Sequence, residues 1–190
     1  MITIAAESIT TLSEHSNISI AFEYDCIYQV STPDSGQGGI LLTLTALPDK
    51  QNKNYDACEG ASPDNWSKTF DTTNWGYIVA RDADKRIGGA VIAYNTDGVN
   101  ILDGRSDLAV LWDIRIDPPY RHKGVGHKLF AAVVDWARER HCKQLKIETQ
   151  NINVAACQFY LRQGCTIGAI NRFAYPGLPH ESQLIWYKDL

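Results

Sequence analysis

The feature that most restricts the fold is a change of period between residues 108 and 136. From Leu108 to Ile116 the side chains alternate. Leu108, Val110, Trp112, Ile114 and Ile116 share one face, and Ala109, Leu111, Asp113 and Arg115 share the other. Pro118-Pro119 then stops the ladder, because proline has no N–H to give it. Further on, Val125, Leu129, Ala132, Val133 and Trp136 recur at helical spacing. Between them lies Arg121-His122-Lys123-Gly124-Val125-Gly126. A strand therefore runs through a basic, glycine-bearing turn into an amphipathic helix.

The flanking segments extend this pattern. Tyr77–Ala80 and Ala90–Tyr94 read as a hairpin around the turn residues Asp82-Ala83-Asp84-Lys85. After the helix, Gln144–Thr149 is a strand. Asn153–Gln163 is a second helix with Val154, Cys157, Tyr160 and Leu161 on its apolar side, stopped by Gly164. Two strands close the chain, around Thr166–Tyr175 and Ser182–Tyr187. Residues 1–75 give weaker signals. Ile18–Phe22 alternates like a strand, and Ile40–Leu44 reads as another that ends at Pro48-Asp49. Residues 49–66 read as a polar loop, and Ser62-Pro63 as the start of a short helix through Phe70. The order predicts a single α/β domain over residues 1–190, with a mixed, mostly antiparallel central sheet flanked by helices.

Composition narrows the function. The formal net charge is -4, which argues against nucleic acid as the main partner, because phosphate binding wants clustered Lys and Arg. The five cysteines, Cys26, Cys58, Cys142, Cys157 and Cys165, have neither disulfide-framework nor metal-site spacing, so reduced thiols and no metal are expected. The opening Met1-Ile2-Thr3-Ile4 has no basic flank, and no apolar run is long enough to span a bilayer. A cytoplasmic protein is expected, with no membrane partner. Trp75, Trp112 and Trp186 are expected in the core. The sequence leaves oligomeric state open, a homodimer included.

The turn before the first long helix has its own chemistry. The first turn of a helix leaves backbone N–H groups without internal partners, and with the helix dipole they favour an anion. Glycine lets the backbone approach phosphate closely. Taken bare, R-x-x-G-x-G fits a phosphate site and a basic surface turn about equally. It is neither the G-x-x-x-x-G-K-[ST] of nucleotide triphosphatases nor the G-x-G-x-x-G of dinucleotide folds.

Arg121-x-x-Gly124-x-Gly126, after a strand ending Ile114-Arg115-Ile116-Asp117-Pro118, resembles the acetyl-CoA motif of the GNAT N-acetyltransferases. Asn153–Cys165, with its N…A…FY…G pattern, resembles that family's second helix. The resemblance covers about residues 76–190 and implies an acetyl-CoA-binding core there, with residues 1–75 as the acceptor-side half. Glu148–Cys157, Ile170–Tyr175 and Trp186–Leu190 are similar to the streptothricin acetyltransferases, which acetylate the β-lysine part of that antibiotic. Trp112 beside Asp113 departs from the acidic pair expected at those positions.

The resemblance implies site residues. Ile114 and Ile116 match positions that hold pantetheine through backbone groups. Arg121, His122, Lys123, Gly124, Val125, Gly126 and His127 would meet the pyrophosphate, and Asn153 and Tyr160 would also touch CoA. Tyr160 matches the general acid that protonates the leaving thiolate. Its plain reading is a core aromatic, and that of Asn153 is a helix N-cap. Asp113 and Glu148 are candidates to accept the amine proton or hold a cationic substrate. Their plain reading is salt-bridged or solvated carboxylates. The expected partner is a small cationic amine such as streptothricin. Two alternatives stand beside it: another small amine, polyamine or protein amino group, and a non-catalytic acetyl-CoA sensor.

Overall fold

The structure, a computed structural model, describes residues 1–58 and 60–190. Among the described residues nine strands and three α-helices follow in chain order, with short 3-10 segments between them. Seven strands form one sheet in the order β1-β4-β5-β6-β7-β9-β8, and β2 and β3 form a separate two-stranded ribbon. Strands β6 and β7 are neighbours in that order and are joined through α2, the crossover that makes such a pair parallel. The sheet is thus mixed, as expected. Contacts divide the chain into two compact units that do not follow a boundary at residue 75: residues 1–21, 54–146 and 189–190, and residues 22–53 and 147–188.

In the first unit β1 (Ile2–Ala6), β4 (Gly76–Asp82), β5 (Lys85–Tyr94) and β6 (Leu108–Ile116) pair antiparallel in turn. Helix α2 (Val125–Glu139) lies against β4, β5 and β6 and buries Val125, Leu129, Phe130, Val133, Val134, Trp136 and Ala137. Each large apolar side chain so buried contributes about 1.5–3 kcal/mol. Gly76 accommodates this helix: a Cβ there would stand 2.5 Å from the Trp136 ring. A further cluster contains Leu12, Trp66, Trp75, Tyr77, Val79, Val91 and Val110, with Phe70 and Trp112 packed against it. It is built by a 3-10 segment over Ile9–Asn17 and by α1 (Pro63–Thr69), with Ser62 before it and proline in its first turn.

In the second unit β2 (Phe22–Ser31) pairs with β3 (Leu41–Lys53), and β8 (Thr166–Asn171) with β9 (Gln183–Asp189). Strand β7 (Gln144–Gln150) leads into α3 (Val154–Arg162), which packs on β2. Asn151 fastens this unit. Its Nδ2 donates to Tyr28 O at 3.0 Å, and its Oδ1 accepts from Ser182 N at 2.7 Å. Trp186 is buried and donates to Thr149 Oγ1 at 2.9 Å.

Four expectations change. The strand expected over residues 18–22 begins at Phe22, because residues 9–17 coil and residues 18–21 give carbonyls to arginines instead of to a ladder. Strand β3 does not stop at Pro48. The pairing jumps from Tyr24↔Gln51 to Cys26↔Ala46, so Pro48 sits where the ladder is interrupted and needs no N–H. The segment read as polar loop therefore starts only after Lys53, and it includes the helix from Pro63. Strand β8 ends at Asn171, and residues 172–182 form the connection to β9.

Candidate active site

Strand β6 does not alternate simply. Val91 pairs with Asp113 but Ile92 pairs with Leu111, so Trp112 is an extra residue and the phase shifts there. Asp113 and Arg115 are consequently buried, while Ile114 and Ile116 are half-buried. The two-face division expected for this strand fails at the bulge. Trp112 packs near Trp66 and Trp75, at ring distances of 6.2 and 5.2 Å. The His15 ring, which holds Asp113, also lies 6.4 Å from Trp66.

After Ile116 the chain makes a short 3-10 turn over Pro118–Tyr120 and reaches Gly124, the residue capping α2. Gly124 has φ +81°, and a Cβ there would meet nothing within 4 Å. The glycine is required by the left-handed backbone, with open space in front of it. His122 also has positive φ. His122, Lys123, Gly124 and His127 are exposed, whereas Val125 and Gly126 are buried. An exposed helix start, a basic turn and open space suit the pyrophosphate of a CoA ester. Arg121 does something else. Its Nε donates to Ile116 O, its Nη1 to Ala21 O and its Nη2 to Ser19 O, each at 3.0 Å. Its guanidinium is spent on backbone carbonyls, and burial lowers its pKa.

Asp113 lies in a buried charge network that the sequence did not reveal. Its Oδ1 accepts from His15 Nε2 at 2.8 Å and from Arg115 Nε at 2.9 Å, and its Oδ2 accepts from Arg115 Nη2 at 3.1 Å. Arg115 also grips Asp56 through both Nη atoms, at 2.7 and 2.8 Å, and donates to Ile18 O at 3.2 Å. All five guanidinium donors are thereby used. Burial alone would raise the Asp113 carboxyl. The His15 hydrogen bond and charge, with the Arg115 charge, hold it below the usual carboxylate range instead. His15 is fully buried, and its Nδ1 lies 3.4 Å from the Tyr77 hydroxyl. Burial pushes the Tyr77 phenol up to about 12. Gly89 makes room for the imidazole: a Cβ there would be 2.7 Å from His15 Nδ1.

Glu148, on β7, has different neighbours. Its Oε1 accepts from the Tyr175 hydroxyl at 2.5 Å and its Oε2 from Gln183 Nε2 at 2.7 Å. Both donors are neutral. Asn153 caps α3, its Oδ1 accepting from Ala156 N at 3.1 Å. Tyr160 is buried on α3, its ring 5.2 Å from that of Phe159. Beyond α3, Gly164 adopts φ +77° and ends the helix. Burial pushes the Cys157 and Cys165 thiols up to about 11, so both stay protonated. Among the described residues no group of side chains could hold a metal ion, and no helix is long and apolar enough to cross a membrane.

His15, Asp56, Arg115, Tyr175 and Gln183 were not singled out from the sequence. Two of them lay inside strings the sequence did mark: Tyr175 at the end of Ile170–Tyr175 and Arg115 within Ile114–Pro118.

A model of the acetyltransferase (GNAT) family matches residues 44–165. The chain belongs to this family. Streptothricin acetyltransferase A of Bacillus subtilis (strain 168) is 36% identical over 91 residues, covering 47% of this chain and 53% of that protein. The chain thus spans about half the length of that relative. A streptothricin acetyltransferase of Streptomyces lavendulae is 27% identical over 194 residues, covering 97% of this chain and 89% of the relative. The crystal structure of a candidate streptothricin acetyltransferase from Bacillus anthracis str. Ames, in complex with acetyl coenzyme A, covers 100% of both chains. Its TM-score is 0.76 at 26% identity.

Proposed function

We propose that this protein is an acetyl-CoA-dependent N-acetyltransferase, formed as one domain over residues 1–190, that inactivates streptothricin by acetylating an amine of its β-lysine moiety. The carrying observation is the exposed turn His122–Gly124, with its left-handed glycine opening α2. Similarity to streptothricin acetyltransferases along nearly the whole chain supports the acceptor. The enzyme works in the cytoplasm on a small cationic amine and needs no metal, nucleic acid or membrane.

Bound acetyl-CoA supplies an activated acetyl thioester. His122, Lys123, Gly124, Val125, Gly126 and His127 hold its pyrophosphate, chiefly through backbone N–H groups. Arg121 contributes its backbone and keeps the turn in shape. Ile114 and Ile116 present backbone groups to the pantetheine. Asn153 holds α3 in place near CoA, and Tyr160 delivers a proton to the departing thiolate. The acceptor enters as an ammonium and must lose a proton before it attacks. Glu148 suits that task. A carboxylate offers about four lone-pair sites, and two neutral donors leave room for the amine proton. Asp113 already accepts three hydrogen bonds from His15 and Arg115, and its role is to hold β6 and its surroundings together.

A thiol-release assay with acetyl-CoA and a panel of amines tests the reading. Streptothricin is expected to turn over best. Tyr160→Phe should lower kcat about 100-fold while leaving the KM for acetyl-CoA unchanged. Better turnover of a polyamine or a peptide amino terminus would move the acceptor. Absence of thiol release with every amine would leave an acetyl-CoA sensor.

A further inference from the structure

Glu148 is oriented from outside its own strand. Tyr175, on the connection between β8 and β9, receives a hydrogen bond from Gln150 Nε2 at 3.0 Å and gives its own proton to Glu148. An amide nitrogen can only donate, so Gln150 fixes the direction of the pair. Burial, and then the Glu148 charge, push the Tyr175 phenol far upward. Tyr175 therefore stays protonated throughout the working range and remains a donor to the carboxylate.

The same residue lines a groove of about 530 Å³. Ile27, Gln29 and Val30 of β2 form one side, and Arg172, Phe173 and Tyr175 the other. Phe173 is 82% exposed, an aromatic face held out to solvent at the rim. Arg172 donates to Thr32 Oγ1 at 3.1 Å and lies 5.7 Å from the Phe173 ring. No Asp or Glu among the described residues lines the groove. Its walls are apolar, aromatic and amide-bearing, with a guanidinium present. A body carrying several ammonium groups would desolvate them here without a counter-charge. A hydroxyl-, amide- and carbonyl-rich body would find donors and a stacking surface.

We infer that Tyr175 is a positioning residue for Glu148 and that the groove it lines receives the uncharged, hydrogen-bonding body of the acceptor, whose amine is directed toward Glu148. This rests on the acetyltransferase reading above and deepens it. Tyr175 belongs both to the wall that meets the acceptor and to the hydrogen bond that aims the base, so occupancy of the groove and orientation of Glu148 are linked.

Two variants test it, with streptothricin as acceptor. Tyr175→Phe removes a hydrogen bond that favours the charged form of the carboxylate it contacts. The expected result is a kcat about ten-fold lower, an unchanged KM for acetyl-CoA, and an acid limb of the kcat profile moved to higher pH. A loss of folded enzyme would lower the amplitude without moving the limb. Phe173→Ala, at an exposed position, should raise the KM for streptothricin relative to that for free β-lysine about ten-fold. It should also weaken streptothricin binding by calorimetry. An unmoved limb overturns the role of Tyr175, and an unchanged KM ratio with unchanged binding overturns the groove. If the wild-type protein releases no thiol with any amine, the acetyltransferase reading falls and this inference with it. Normal wild-type turnover with silent variants removes this inference alone.

Discussion

Asp113 on β6 and Glu148 on β7 are both strand carboxylates, and their surroundings oppose each other. Asp113 is buried and accepts three hydrogen bonds from a guanidinium and an imidazole. Glu148 is met by a phenol and an amide and is only half-buried. A carboxylate surrounded by cations is held in its charged form and resists taking a proton. One held by neutral donors is aimed without being neutralised, and it can exchange protons during a reaction. On the proposed function, the same functional group serves as an anchor in one place and as a working group in the other.

The largest expected effect separates the two by activity. Glu148→Gln should lower kcat at least about 100-fold. Its Tyr175 and Gln183 contacts can be remade by an amide, so its urea midpoint should stay close to wild type. A variant with full turnover would end the distinction. Asp113→Asn should do the reverse. Breaking a buried ion pair costs about 3–5 kcal/mol, because Arg115 loses one of its two carboxylate partners. Denaturant unfolding reads this loss, and the refolded fraction should retain acetyl-CoA affinity. The pH dependence has a definite sign. The folded Asp113 carboxyl lies below its unfolded value of about 3.9, so its stabilisation is complete above that pH. It is lost as pH falls through the lower, folded value. Urea midpoints followed into acid should drop more steeply for wild type than for Asp113→Asn. The smallest effect probes the room left for His15. Gly89→Ala places a methyl group against the imidazole and should cost about 1–3 kcal/mol. In a His15→Ala background most of that penalty should vanish, which a double-mutant cycle measures.

Much of the stretch from Leu108 to Arg162 was legible because it is written in local patterns. The change of period from β6 to α2, the glycine at Gly124 and the cap at Asn153 each depend on residues a few positions apart. The structure agrees with these elements to within a residue or two. The bulge at Trp112 was not legible, because an inserted residue preserves the look of alternation while shifting its phase. Nor was the His15–Asp113–Arg115–Asp56 network. It joins positions nearly a hundred residues apart, and nothing local marks His15 as its member. The strings Glu148–Val154 and Ile170–Tyr175 stood out separately as sequence. Their connection, one hydrogen bond from Tyr175 to Glu148, exists only in three dimensions.

Arg121 and Arg115 have a consequence for how this chain could be rebuilt. The chain leaves the first unit after Ala21 and returns at Asn54. Arg121 fastens Ser19 and Ala21 on the way out, and Arg115 fastens Ile18 there and Asp56 on the way back. The excursion is stapled at both feet by guanidinium groups from a single stretch of chain. Between the feet the ribbon is held again: Tyr28 N donates to Asn151 O, Tyr28 O accepts from Asn151 Nδ2, and Lys53 pairs with Glu181. A ribbon of another length would have to keep the two feet and these inner partners alike.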